Sequence, residues 1–337
     1  MKGYAILIVI VAVFLLLLPM LALPRAQATD SQTYSVSPTS NSTTQNTASD
    51  TVNDATQDQA VFKILTNDIV TTLSCREFLI RILAFEMSPE YHTEALKAQA
   101  VAAYTYYGRR QLAQKGAPDA SLSGADFKAP DDTFPQEYTA DKLRERWGSK
   151  YDTYYNKLCA AVDTVIGKHM TYNGEWIDAC YFAISNGSTE SAKAVWGAEV
   201  PYLQAIASPG DKLAANYETK ITLSAEQIKA ALVADDADLT LPNNPAKWFG
   251  EAACSDTGMV LSIPIGGKPF TGTALRSAFG LRSATFRVTY TADGFCFTVR
   301  GYGHGVGLSQ YGADHLARQG YTWQEILQYY YTGIAIV

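Results

Sequence analysis

The chain has 337 residues, enough for one large or two modest domains. Its 27 basic and 33 acidic side chains leave a net charge of −6, which argues against nucleic acid as the main partner and leaves neutral polymers such as glycans open. The 21 tyrosines fit either sugar stacking or ordinary strand positions.

The first element is an apolar run from Tyr4 to Leu23, preceded by Lys2. Its length matches the roughly 20 residues of a spanning helix and exceeds the usual signal-peptide core. Ala26-Gln27-Ala28 also has the small-residue pattern of a signal-peptidase site. Residues 1–28 are expected to form a single-pass anchor in the cell membrane, with a cleaved export signal as the alternative. Either reading puts the rest of the chain outside the cytoplasm. Residues 29–59 are rich in Ser, Thr, Asn, Asp and Gln and nearly free of large apolar side chains, so they are expected to be a disordered linker. Residues 60–337 are left as the folded ectodomain.

Within it, "CREFLIRILAFEM" has a helical apolar period through Phe78, Ile82 and Phe85, and is expected to stop at Ser88-Pro89. "TEALKAQAVAAYTYYGRR" predicts a second helix with Thr93 as N-cap, its alanines allowing close approach by neighbours. "YDTYYNKLCAAVDTVIG" predicts a third, ending at Gly167. Two hairpins follow from Asn173-Gly174 and Asp293-Gly294. Near the C-terminus, Gly320 ends one helix and Thr322 with Glu325 forms a capping box for the next. Helices first and antiparallel hairpins later predict an α+β fold: a helical segment packed on hairpins, closed by a C-terminal helix pair.

Five cysteines, at 75, 159, 180, 254 and 296, show no C-x-x-C spacing and read as buried thiols with room for one disulfide. The four histidines are dispersed, so no metal and no cofactor is expected. "RGYGHGVGLSQYGA" carries glycine at 301, 303, 305 and 307. The spacing fits neither a dinucleotide fingerprint nor a P-loop. Read as an extended segment, it bares one backbone face. That face would line a sugar cleft beside His304, Ser309 and Gln310, or pack on the alanine-rich helix with His304 as a structural histidine.

Three separated pieces together resemble the SpoIID/LytB family: "FEMSPEYHTEALKAQAVAAYTY", "YFAISNGSTESAKAVWGAEVPYLQAI", and "TALRSAFGLRSATFRV" with "RGYGHGVGLSQYGADHLARQGYTWQEILQYYYTG". The resemblance covers nearly all of the ectodomain in order. It implies a peptidoglycan lytic transglycosylase that cleaves MurNAc–GlcNAc bonds of denuded glycan strands in sporulation and engulfment. It also implies a SpoIIP-like amidase/endopeptidase partner. The family's catalytic glutamate falls on Glu86, at a helix end among apolar residues, where the neutral acid is favoured. Candidate substrate-binding residues are Tyr181, Ser185 and Asn186 in the second piece, and His304, Ser309 and Gln310 in the third.

Most glycosidases use two carboxylates. No matching motif offers a second here, and a lytic transglycosylase needs only one. The chain departs from the family at Tyr104, where an arginine implicated in activity is common. It also lacks the His/Cys zinc set that some relatives carry before a Gln-x-Tyr, reading "APDDTFPQEY" instead, with Gln136 and Tyr138. Two competing readings remain open. One is a non-catalytic glycan-binding enhancer of an amidase; the other is a hydrolase with a further carboxylate.

Overall fold

The computed structural model describes residues 60–235 and 239–337. The expected anchor and linker lie outside the described residues. Among those described, no helix is long and apolar enough to cross a membrane.

The chain enters through a tight hairpin, β1 (Val61–Thr66) and β2 (Ile69–Ser74), turned by Asn67 and Asp68, both at positive φ. Ser74 then caps α1 (Cys75–Glu86), accepting from Glu77 N–H at 3.1 Å. Phe78, Leu79, Ile82 and Leu83 of α1 are fully buried, as the helical period predicts. The next helix, α2 (Thr93–Gly116), is 24 residues long. Its N-cap is His92 rather than the expected Thr93: the imidazole accepts from Glu94 N–H at 3.3 Å. Ala95, Ala98, Ala100, Ala102 and Ala103 are completely buried, so α2 is the axis on which the helical lobe packs.

β3 (Phe127–Lys128) adds to β1 in parallel. A short helix that the sequence reading missed, α3 (Ala140–Trp147), is followed by α4 (Tyr151–Val165). β4 (Met170–Tyr172) and β5 (Glu175–Trp176) form the expected hairpin, with Asn173 at φ 52° and Gly174 at φ 83°. Two positive φ angles in a two-residue loop are what an Asn-Gly turn supplies. β6 (Tyr181–Phe182) and α5 (Ala192–Trp196) complete this part.

Residues 218–300 form a β-rich lobe with its own apolar cluster, inserted between two parts of the helical lobe. It contains β7 (Glu218–Leu223), α6 (Ala225–Asp235), β8 (Ala253–Cys254), β9 (Val260–Ile265), β10 (Lys268–Phe270), α7 (Gly272–Phe279), β11 (Phe286–Thr291) and β12 (Gly294–Arg300). Two antiparallel three-stranded sheets, ordered β11-β12-β7 and β10-β9-β8, enclose Phe286, Phe295, Phe297 and Trp248. In the β11–β12 hairpin Thr291 faces Gly294, so the turn residues are Ala292 and Asp293.

The chain then returns to the helical lobe through β13 (Leu308–Ser309), α8 (Gln310–Arg318), α9 (Trp323–Tyr330) and β14 (Ala335–Ile336). The Thr322/Glu325 capping box is present, and Gly320 at φ 96° separates the two helices. The fold is α+β, with several small, mainly antiparallel sheets. All five cysteines are free thiols, and Cys254 is exposed.

Candidate active site

Glu86 owes its position to where α1 ends. Pro89 pushes Ser88 out of helical angles, and Met87 is already extended, its N–H closing the last turn on Leu83 O at 3.0 Å. Glu86 is therefore the last helical residue, beside the negative end of the helix dipole. Two side chains from distant sequence meet its carboxylate. Tyr181 Oη donates to Oε1 at 3.5 Å and Gln310 Nε2 donates to Oε2 at 3.3 Å. Both bonds are long. Burial pushes the Glu86 carboxyl up to about 7, against the pull of these two donors and helped by the negative charge of Asp131. Burial also raises the phenols of Tyr181 and Tyr107, and the nearby Glu86 charge adds to that. Both therefore stay protonated hydroxyls beside the carboxyl group.

The glycine-rich run delivers Tyr181 and Gln310 to this point. It is not an alternating strand. Gly301, Gly303, Gly305 and Gly307 have φ of 77°, 115°, 86° and 79°, the left-handed side that side-chain-bearing residues avoid. Their lack of Cβ serves close approach to residues 180–190, not to the alanine-rich helix α2. A Cβ at 307 would stand 2.1 Å from Cys180 O, and one at 303 would stand 2.6 Å from Phe182 Cβ. The backbones then bond across: Ile184 and Tyr302 exchange N–H···O bonds, and Glu190 N–H donates to Gly305 O. Leu308 pairs with Tyr181 in the parallel β13–β6 ladder. Gln310 then opens α8 one residue beyond that ladder, level with Glu86.

The remaining candidates have other partners. Ser185 and Ser309 are buried and both donate to Asp211, Ser309 Oγ reaching Oδ1 at 2.8 Å. Ser309 Oγ also caps α8, accepting from Gly312 N–H at 3.3 Å. Asn186 Nδ2 donates to Thr257 O at 2.8 Å and to Thr285 Oγ1 at 3.2 Å, tying the helical lobe to the β-rich one. His304 Nδ1 accepts from Val306 N–H at 3.1 Å, which leaves the ring proton on Nε2 to donate to Tyr181 O at 3.1 Å. His304 thus holds the backbone of the residue whose hydroxyl meets Glu86. With Ser185, Asn186 and Glu190 it lines a shallow crevice that Glu86, Tyr181 and Gln310 do not reach.

Sequence reading missed the buried carboxylates Asp211 and Glu190. Asp211 is completely buried and serves as the acceptor for the serine pair. Glu190 is buried beneath Gly305, accepting from Thr257 Oγ1 and from Ser255 Oγ at 3.3 Å. Only tertiary structure distinguishes them from the other acids, since neither stands in a recognisable local pattern. Tyr104 packs against the rings of Phe62 and Trp176. Gln136 is exposed, while Tyr138 lies edge-on against Phe85 with ring centres 5.2 Å apart. Among the described residues no group of three His, Cys, Asp or Glu side chains is placed to hold a metal ion.

Comparison with known proteins gives the family. The profile of the SpoIID family, "Stage II sporulation protein", matches residues 65–172. "Stage II sporulation protein D" of Bacillus subtilis (strain 168) is 36% identical over 274 residues, covering 80% of this chain and 76% of the relative. The protein of the same name from Bacillus amyloliquefaciens is 35% identical over 272 residues, with the same coverage of 80% and 76%. An "Amidase enhancer" of Bacillus subtilis (strain 168) is 26% identical over 313 residues, 76% of this chain but only 39% of that relative.

Proposed function

The chain belongs to the SpoIID family of stage II sporulation proteins, and from that premise we propose that it acts on the cell wall in sporulation as a peptidoglycan lytic transglycosylase. The substrate is a MurNAc–GlcNAc glycan strand, the reactive group is Glu86, and the product is a 1,6-anhydroMurNAc end. The observation that carries this reading is the Glu86 carboxyl: it accepts hydrogen bonds from Tyr181 and Gln310 at the end of α1, and burial pushes it up to about 7. A carboxylic acid held near neutral pKa suits general acid–base work.

The protonated Glu86 gives its proton to the glycosidic oxygen as the C1–O bond breaks. The resulting carboxylate then takes the proton of the same sugar's C6 hydroxyl while that oxygen bonds to C1. Tyr181 and Gln310 hold the carboxylate oxygens between the two transfers. The proton count closes on one residue, and no water is consumed.

A water-consuming hydrolase would need a second carboxylate with a free oxygen facing the bond. Asp211 is sealed under Ser185 and Ser309, and Glu190 is held by Thr257 and Ser255, so both serve internal bonds. Asp131, whose charge reaches Glu86, takes its bonds from Thr133 and Phe134 on Oδ1 and is the acid such a hydrolase would call on. The non-catalytic enhancer reading draws on the likeness to the amidase enhancer and on Tyr104. In this structure Tyr104 faces Phe62 and Trp176, and the Glu86 set is built from other residues. We also take the membrane anchorage and the sporulation amidase partner as part of this reading.

Mass spectrometry of products from amidase-stripped glycan strands tests it. Anhydro ends, lighter by one water than hydrolysis products, are expected. Reducing-end MurNAc would make the protein a hydrolase, and an absence of cleavage would leave the enhancer.

A further inference from the structure

The segment that follows the Gln-x-Tyr carries four cations in a short stretch, and three of them are paired. Lys142 meets Glu137 at 3.6 Å, Arg144 meets Asp141 at 2.7 Å, and Lys150 meets Glu90 at 3.3 Å. Arg146 is the exception: it is exposed and pairs with no carboxylate among the described residues. Its guanidinium is nevertheless held in place. It lies over the Tyr138 ring, 4.6 Å from the centre, and Nη2 donates to Glu137 O at 3.2 Å. The Tyr138 hydroxyl takes a further hydrogen bond from it, and the exposed side chain keeps spare donors among its five N–H groups. A fixed guanidinium with spare donors is preorganised for a planar anion.

Its location gives the anion a meaning. Tyr138, under the guanidinium, packs edge-on against Phe85, the residue before Glu86. The Tyr138 hydroxyl lies within electrostatic reach of both Arg146 and Glu86. Arg146 is therefore joined through two aromatic rings, Tyr138 and Phe85, to the end of α1 that presents the reactive carboxyl. Resting on the transglycosylase reading above, we infer that Arg146, seated on Tyr138, recognises a carboxylate of the glycan strand next to the bond that Glu86 cleaves. On a strand stripped of stem peptides, the fixed negative charge is the lactyl carboxylate of each MurNAc. Where the stem peptide is still attached, that carbon is an amide, which carries no charge and offers only one oxygen. Arg146 is thus a specificity-determining residue that favours stripped strands.

The test uses the full chain with Glu86→Gln, so that binding is read without turnover. Two ligands are compared: amidase-stripped glycan strands, and the same strands with their lactyl carboxylates converted to methylamides. The expected preference for the carboxylate strand is about three- to tenfold, the range of one exposed but oriented charge pair, and it shrinks as salt is raised. Adding Arg146→Gln is expected to abolish the preference by weakening the carboxylate strand alone. Arg146→Lys, a point charge without the fork, is expected to retain part of it. Equal weakening of both strands by Arg146→Gln overturns the inference, as does an unchanged preference or a failure to bind either strand. Product analysis of the wild type separates this result from the activity itself. Discrimination without cleavage sinks the transglycosylase, and cleavage without discrimination sinks Arg146.

Discussion

Gln310 Nε2 lies 3.3 Å from Glu86 Oε2, joining residues 224 positions apart. Neither end of that bond is free to choose its place. Glu86 is fixed by the proline-terminated end of α1, and Gln310 by the first turn of α8. Between them the chain builds an entire β-rich lobe and returns through four glycines at positive φ. The carboxyl is therefore set by two elements, and a shift in either changes its hydrogen bonding.

Replacing Glu86 by Gln keeps the shape and removes the proton. Turnover is expected to fall by about 10²–10⁴-fold, the usual contribution of a positioned acid–base group. Stability moves the other way. A helix-end glutamate read from sequence alone would be nearly neutral to folding, but this carboxyl is raised by burial to about 7. The folded state disfavours its charge, so the wild type loses stability as pH rises from about 4.5 to about 7 and levels off above. Glu86→Gln is expected to be more stable than wild type by roughly 2–3 kcal/mol at pH 8, and about equal to it below pH 4.5. Urea denaturation at the two pH values checks this; equal stability at pH 8 refutes it.

The pH profile follows from the same group. The reaction begins with a proton on Glu86, so kcat/KM is expected to be flat on the acid side and to fall about tenfold per pH unit above roughly 7. A profile still flat at pH 9 would remove Glu86 from the role of acid.

Gly307 and Gly320 separate two reasons for being glycine. Both sit at positive φ, 79° and 96°, where an alanine costs roughly 1–2 kcal/mol. A methyl at 320 would meet nothing within 4 Å, whereas a Cβ at 307 meets Cys180 O at 2.1 Å. Gly320→Ala is expected to lower stability by that backbone strain and leave kcat intact. Gly307→Ala is expected to lose at least about 2 kcal/mol and most of the activity, because it pries β13 from Tyr181. Thermal melts and turnover of the two variants give the comparison.

Much of the helical lobe was legible in the sequence. The apolar period of α1, the Asn-Gly turn and the Thr322/Glu325 box are local devices, and the structure shows each where the sequence places it. The N-cap of α2 was misplaced because His92, not a hydroxyl residue, accepts the Glu94 N–H. The order of glycines at 301–307 was visible, but the reading as a strand failed. Period two describes extended residues, and here every second residue is left-handed. At the site, the meeting of Tyr181 and Gln310 on Glu86 depends on register across the inserted lobe. No local pattern encodes that register: the glycine-rich segment drew notice to Gln310, and the family resemblance to Tyr181. Asp211 and Glu190 were invisible for the same reason.

The apolar run from Tyr4 to Leu23 gives a simple fractionation test. The full chain is expected to stay in the membrane pellet after carbonate washing. A soluble chain starting at Thr29 would show cleavage after Ala28 instead.

Ser309 decides whether a residue in the glycine-rich segment serves the ligand or the fold. Its hydroxyl donates to Asp211 Oδ1 at 2.8 Å and accepts from Gly312 N–H at 3.3 Å, and the residue is completely buried. Ser309→Ala therefore removes two things at once. Asp211 keeps Ser185 but loses a donor in a site closed to water, which costs about 1–3 kcal/mol. The first turn of α8 loses its side-chain cap, which costs about another 1 kcal/mol. A loss of roughly 2–4 kcal/mol is expected in urea denaturation. Gln310 is the next residue, so the loosened turn also weakens its hold on Glu86 and lowers kcat more than it raises KM. Had Ser309 been a sugar contact, the variant would fold as well as wild type and bind glycan less tightly. Unchanged stability with a raised KM would therefore return Ser309 to the substrate.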